Sequence, residues 1–426
     1  MYDLISKRGT VLFMKFRQML AFLFCFLFVG AAFTVPAQAE IKIGQKNDIS
    51  LFTEIRAVGA LQALDQSGKG LSSLDPTFNT AYGDIAFRAQ LDDYAELYFN
   101  TWQASRPHED RWFGHEGYMR IDHFPEDYPI SALNPMMRYV DVKVGEFEID
   151  YGWYQDNTSL NANVQQNALV GNPVVKAQAT EPGLEVIRDD GLVNWVVGFG
   201  NGGPTTNAKE GVDFSYHAKV WKEIVPGAEL AASYWRQDNS STTGAYGGPG
   251  NLFSSDRAGG RYGAVWNGGN SPGNVLPGNG YDETAWQVDL RTNPTSNTNL
   301  NVLYGHIQDA DVNGATGGSI AEPEQSWNNY AVEAKHSLTE NFYVAGRYSG
   351  AEVDTWQNSS GATNTNSGQV DRFQLGAGMW IYDGFLGKLE YVKQEASDFT
   401  SDDPLNVNAS GDPEFDGLIA EFSMEY

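Results

Sequence analysis

The chain ends on Gly417-Leu-Ile-Ala-Glu-Phe-Ser-Met-Glu-Tyr426, and the alternation within those ten residues points to the fold. Leu418, Ala420, Phe422, Met424 and Tyr426 share one face of an extended strand, while Ile419, Glu421, Ser423 and Glu425 share the other. Successive side chains on a strand point to opposite sides, so this segment is apolar on one side and mostly polar on the other. The pattern runs to the final residue. Termini of soluble domains tend to fray. The last strand of a closed barrel in lipid must instead pair to its end, because an open edge there leaves backbone groups unsatisfied.

The other end of the chain agrees. Residues 1–39 read as a cleaved secretory signal: Lys7, Arg8, Lys15 and Arg17, an apolar run from Leu20 to Val35, then Ala37-Gln38-Ala39 before Glu40. Met14-Lys-Phe-Arg offers a second start, which would leave residues 1–13 untranslated. The apolar run is short for a spanning helix, so an uncleaved anchor is the weaker reading. Cys25, the one cysteine, lies inside this segment, so residues 40–426 need no disulfide framework.

The signal holds four bases and one acid (Asp3), so its removal takes the formal net charge from −26 to −29. Such acidity argues against nucleic acid, whose phosphates require a basic footprint. No later segment approaches the roughly 18 apolar residues of a spanning helix. Aromatics at 13% and 46 glycines suit many short strands joined by turns.

Alternating segments recur along the chain. Ile49, Leu51, Thr53, Ile55, Ala57, Gly59, Leu61 and Ala63 oppose Ser50, Glu54 and Arg56. Gly83, Ile85, Phe87, Ala89 and Leu91 oppose Asp84 and Arg88, and Phe373, Leu375, Ala377, Met379 and Ile381 oppose Arg372. The apolar faces carry no charge. A Lys or Arg on a lipid-facing site near the bilayer midplane costs about 2–4 kcal/mol, whereas a channel interior tolerates it. A soluble sandwich would alternate too, but would not crowd its polar face with charge.

Sixteen strands follow, near 49–64, 81–92, 94–103, 114–122, 138–145, 183–188, 192–200, 213–222, 229–237, 281–291, 299–308, 326–337, 342–351, 369–382, 385–395 and 416–426. Tight turns such as Asp92-Asp93 and Tyr382-Asp383-Gly384 alternate with long polar loops, notably 146–182, 238–280 and 396–415. The fold class expected is therefore all-β: a closed antiparallel transmembrane barrel in one domain, 40–426, with short periplasmic turns and long extracellular loops. Segment 123–137, HFPEDYPISALNPMM, is long for a periplasmic turn, and a different parsing of it gives 14 or 18 strands.

Val142-Lys-Val-Gly-Glu-Phe-Glu-Ile-Asp-Tyr-Gly152 resembles the strand end that leads into the third loop of sixteen-stranded Gram-negative outer-membrane porins. The terminal strand is similar to the aromatic-ended strand that the barrel-assembly machinery reads in such proteins. The resemblance implies a third loop folded into the lumen, a homotrimer among outer-membrane lipids, and passive passage of small hydrophilic solutes without a cofactor. The Pro-Glu-Phe-Gly-Gly run of enterobacterial general porins is absent, and Ala168-Leu-Val-Gly-Asn172 stands in the loop instead. In the porins it resembles, loop acids face a basic wall cluster across the constriction. The corresponding residues are Glu146, Glu148, Asp150 and Asp156 on the loop side. On the wall side they are Arg56, Arg88, Arg120, Arg347 and Arg372. The opposed charges would set up a transverse field. Alternatively, each arginine merely pairs with a neighbour such as Glu54, Asp84 or Glu116.

Other signals are weaker. Trp102, Trp221, Trp235, Trp327 and Trp380 fall on polar faces where they could stack on sugars, or could simply sit at the interface or beneath loops. Asp309, Asp311, Asn313 and Gly314 begin a calcium-loop pattern whose twelfth position is Ile320 rather than Glu. His108 and His115 lack a spacing that places them on one face. No Gly-x-Ser-x-Gly elbow or base–orienter pair suggests catalysis. Net acidity favours cations. The competing expectations are a channel selective for sugar, phosphate or another anion, and a non-conducting adhesive barrel with 238–280 as its binding surface.

Overall fold

A computed structural model describes residues 41–43, 49–67, 76–78, 81–91, 94–104, 113–153, 164–177, 180–201, 214–237, 252, 262, 282–310, 325–357, 363–364, 368–398 and 414–426. The expected signal segment lies outside them. Sixteen long strands follow in the expected order. The first eight are β1 (Ile49–Ser67), β2 (Tyr82–Leu91), β3 (Ala95–Ala104), β4 (Phe113–Ile121), β5 (Asp141–Glu148), β6 (Thr180–Arg188), β7 (Asn194–Gly200) and β8 (Ser215–Val225). The second eight are β9 (Ala228–Gln237), β10 (Asp282–Thr295), β11 (Thr298–Ala310), β12 (Gln325–Ser337), β13 (Phe342–Gln357), β14 (Gln369–Tyr382), β15 (Phe385–Ser397) and β16 (Glu414–Glu425). Short strands at Ile41–Ile43, Thr77–Phe78 and Thr363–Asn364 extend the same sheet.

Each long strand pairs antiparallel with the next, and β16 returns to β1 with Glu414 opposite Ser67 and Glu425 opposite Arg56. The sheet is closed. Tyr426 completes the seam: its N–H donates to Ile55 O at 3.0 Å, and the Ile55 N–H donates to the Tyr426 carbonyl at 2.6 Å. Where β16 stops, Ile41–Ile43 takes over its place beside β1, with Ile41 opposite Leu51. Closure removes the free edge that lipid would not tolerate.

The distribution of side chains is inverted relative to a soluble protein. Ile55, Phe87, Phe99, Val197, Tyr234 and Phe373 lie on the exposed outer wall, whereas Lys219, Arg347, Arg372, Lys388, Glu390 and Glu421 are buried inside. In water, that arrangement would expose apolar area and bury charge, unfavourable on both counts. Against lipid it is favourable.

One end carries the tight turns and both ends of the sheet's chain; the other carries the long loops. The turn between β4 and β5 is the long exception noted in the sequence. It forms a 3-10 turn, Pro129–Leu133, running into a short helix, Asn134–Met137, so no strand is gained or lost there. Among the described residues, no helix is long and apolar enough to cross a membrane.

Candidate functional site

The third long loop leaves β5 and turns into the lumen. Its first turn is held by β8 and β9: Lys219 Nζ donates to Asp150 Oδ1 at 2.6 Å and to Gly152 O at 3.0 Å, and Gly152 N–H donates to Ser233 Oγ at 2.9 Å. Residues 167–177 are all buried. Between Val164 and Ala177 the loop has one charged side chain, Lys176, so it can lie against the wall without stranding charge. Asn167 shapes the turn, donating to Gly171 O at 3.0 Å and Asn172 Oδ1 at 3.1 Å.

The wall from β13 to β15 receives this segment through its main chain. Lys388 Nζ donates to Leu169 O at 3.1 Å, and Glu390 Oε2 accepts the N–H groups of Val170 and Gly171 at 2.6 and 3.1 Å. Arg347 donates to Gly171 O at 2.6 Å and Asn167 Oδ1 at 2.7 Å, and Arg372 donates to Asn172 O at 2.7 Å. Ser349 Oγ accepts Val174 N–H at 3.1 Å. Hydrogen bonds to charged groups contribute about 1.5–3 kcal/mol each, so the seat is strong. Tyr262, from the loop between β9 and β10, closes over it: its hydroxyl donates to Glu390 Oε1 at 2.7 Å. A Cβ on Gly171 would lie 1.9 Å from that hydroxyl oxygen, so only glycine fits beneath the ring. Above the seat, Ile149, Tyr151, Val174, Trp235, Trp327 and Phe415 belong to one buried apolar cluster inside the barrel.

The arginines expected to form one arc are thus dispersed. Arg347 and Arg372 do meet the loop, but at its carbonyls rather than its acids, and Arg347 is also paired with Glu333. Arg56 donates to Asp84 at 2.7 Å. Arg88 lies 3.4 Å from Glu96 and 3.9 Å from Glu54. Arg120 sits at the tight-turn mouth with Asp141 and Asp189, the latter at 3.0 Å. These pairs are the neighbour pairing given as the alternative.

The loop acids also part company. Asp150 engages Lys219. Glu148 ends β5, its own N–H donating to Glu116 Oε1 at 3.0 Å. Glu146 lies opposite Gly117 and Pro182 while the next residue, Phe147, is buried inside; alternation therefore turns Glu146 to the outer wall. It is not a lumen residue. Asp156 lies outside the described residues.

The other sequence signals resolve in part. Trp235 and Trp327 are 0% exposed, which leaves no face for a sugar. Trp221 packs edge-on to Trp153, and Trp380 borders a cavity at the tight-turn end. The side chain of Trp102, most of the calcium-like segment, and His108 lie outside the description. Among the described residues, no three His, Cys, Asp or Glu side chains are grouped to hold a metal.

No protein-family model matches the sequence, and no curated protein is significantly similar to it. Solved structures do match the fold. The trimer form of OmpT, an outer membrane protein of Vibrio cholerae, superposes with a TM-score of 0.52 at 9% identity, covering 89% of this chain and 99% of its own. The outer membrane channel DcaP of Acinetobacter baumannii does so at 0.52 and 10%, covering 91% and 100%. The anion-selective porin from Comamonas acidovorans gives 0.50 and 8%, covering 89% and 100%. The barrel has the porin fold.

Inside the barrel the water-accessible lumen lies away from the loop seat. Arg88 keeps 44% of its side chain exposed, against none for Arg347. Glu54 and Glu96 flank it, and at the mouth stand Arg120, Asp141 and Asp189, all partly exposed. Below the loop a cavity of about 440 Å³ is bordered by Glu54, Gln165, Asp383 and Glu425. Sequence reasoning missed Lys388, Glu390 and Tyr262. The first two were legible as inward residues of β15, two apart and opposite apolar Leu389. Their loop partners lie about 220 positions earlier, beyond any local pattern.

Proposed function

We propose that this porin-type barrel is an outer-membrane channel through which small hydrophilic solutes and ions diffuse passively. The carrying observation is the charged, water-accessible strip on β1–β5, inside a wall whose outer face is apolar. No energy source or cofactor enters: an aqueous path and a size limit suffice. The inward loop sets the limit, held to the opposite wall by Arg347, Arg372, Lys388 and Glu390.

Cations are the preferred ions. Glu54, Glu96, Asp141, Asp189, Asp383 and Glu425 line the accessible path, and the two most buried arginines are committed to the loop. A homotrimer is the assembled form, in keeping with the trimer form of the Vibrio cholerae protein of like fold. Residues 1–39 direct export and are removed, and β16 presents its aromatic end to the barrel-assembly machinery.

Purified protein in a planar bilayer under a KCl gradient tests this reading. A conductance with a cation-selective reversal potential is expected. Anion selectivity would favour the substrate-selective alternative. Folded protein that conducts nothing would sink the channel, and the apolar cluster beneath the long loops would then mark a structural barrel.

A further inference from the structure

The segment between β4 and β5 carries an exposed apolar stripe that the channel does not use. Ile130, Leu133, Met136 and Tyr139 are 46–61% exposed and recur every third residue. A 3-10 turn has three residues per turn, so Ile130 and Leu133 eclipse; the helical turn that follows keeps Met136 on the adjoining side. The opposite side is anchored by Met137, which is buried. The segment is braced: Asn134 accepts Phe124 N–H and donates to Phe124 O, each at 2.8 Å, and Tyr139 N–H donates to Met136 O at 3.0 Å. Four apolar side chains thus stand on a fixed scaffold facing away from the protein.

What covers them follows from continuity with the rest of that rim. The segment hangs from Ile121 and Asp141, directly below the outward residues Met119 and Val144 of the membrane-facing wall. Exposed apolar residues recur at the other tight turns, at Leu192, Val225, Leu338 and Tyr382. Exposed apolar residues at turns spread along the rim fit a lipid interface, whereas a second copy would cover one sector only. Tyr128 and Tyr139 suit the headgroup level, where amphipathic rings concentrate. Glu126, Asp127 and Arg138 remain exposed to water beside the stripe.

We infer that residues 128–139 form an interfacial foot, laid in the headgroup–acyl boundary of the leaflet at the tight-turn end. This rests on the barrel reading, because it needs the outer wall to be in lipid. Interfacial helical segments bind through such a stripe, sunk about 5–10 Å into the boundary. The foot adds lipid contact on one sector of the rim, next to the water-accessible strip of β2–β5.

The cysteine-free mature chain allows a direct test. Single substitutions Ile130→Cys, Leu133→Cys and Met136→Cys are labelled with a nitroxide, in protein reconstituted into phosphatidylethanolamine–phosphatidylglycerol vesicles. Collision with oxygen, which concentrates in lipid, is compared with collision with a water-soluble nickel chelate. The stripe sites are expected to show a several-fold higher oxygen-to-nickel ratio than Asp127→Cys. Nickel-accessible stripe sites would overturn the foot, and shielding from both reagents would replace lipid with a protein partner. Leu375→Cys on the outer wall separates the two readings. If it reads lipid while the stripe reads water, only the foot fails; if it too reads water, the barrel reading fails with it.

Discussion

Arg347 and Arg88 have the same chemistry and opposite circumstances. Arg347 is buried between Glu333 and the loop, so removing its guanidinium strands a buried carboxylate and frees the Gly171 carbonyl. Breaking such a pair costs about 3–5 kcal/mol. Arg88 is 44% exposed beside two acids, and exposed pairs are worth about 1 kcal/mol at most. Arg347→Ala is therefore expected to lower the urea midpoint of the vesicle-reconstituted barrel strongly. Arg88→Ala should leave the midpoint nearly unchanged yet move the reversal potential further toward cations. Equal midpoints for the two variants would contradict the loop seat.

Among the elements, the inward loop and the loop between β9 and β10 are joined through one side chain. Tyr262 donates to Glu390, accepts from Gln374 at 2.8 Å, and packs against Phe415. Tyr262→Phe keeps the ring and removes only the hydroxyl. Single-channel traces of that variant are expected to show more frequent partial closures as segment 167–174 loosens, with the circular-dichroism spectrum unchanged. Traces identical to the unmodified protein would mean that the main-chain bonds from Arg347, Arg372 and Lys388 hold the loop unaided.

For the whole molecule, the relevant quantity is the field along the accessible path, since charges on remote loops are screened. The Debye length falls from about 10 Å at 0.1 M salt to about 3 Å at 1 M. Cation preference measured by reversal potential should accordingly weaken as salt rises across that range, if Glu54, Glu96 and the mouth acids act through space. A preference independent of salt would place selectivity at a closer, dehydrated contact.

Much of this architecture is written locally. Period-two alternation is a property of each strand alone, so residues such as Phe373 against Arg372, or Phe422 against Glu421, carry their own inside and outside. Strand count and the tight-turn, long-loop rhythm likewise come from adjacent residues. Even the outward turn of Glu146 was present in the parity of Val142 and Val144; Phe147, an aromatic facing inward, disguised it. The charge constellation is different in kind. Whether Arg372 meets a carboxylate, a carbonyl or water depends on sheet closure and on a loop 200 positions away. Alternation, set by the geometry of neighbouring peptide units, determined which way each side chain points. Only the folded barrel, by bringing distant strands and the inward loop into one lumen, decided what each charge would find there.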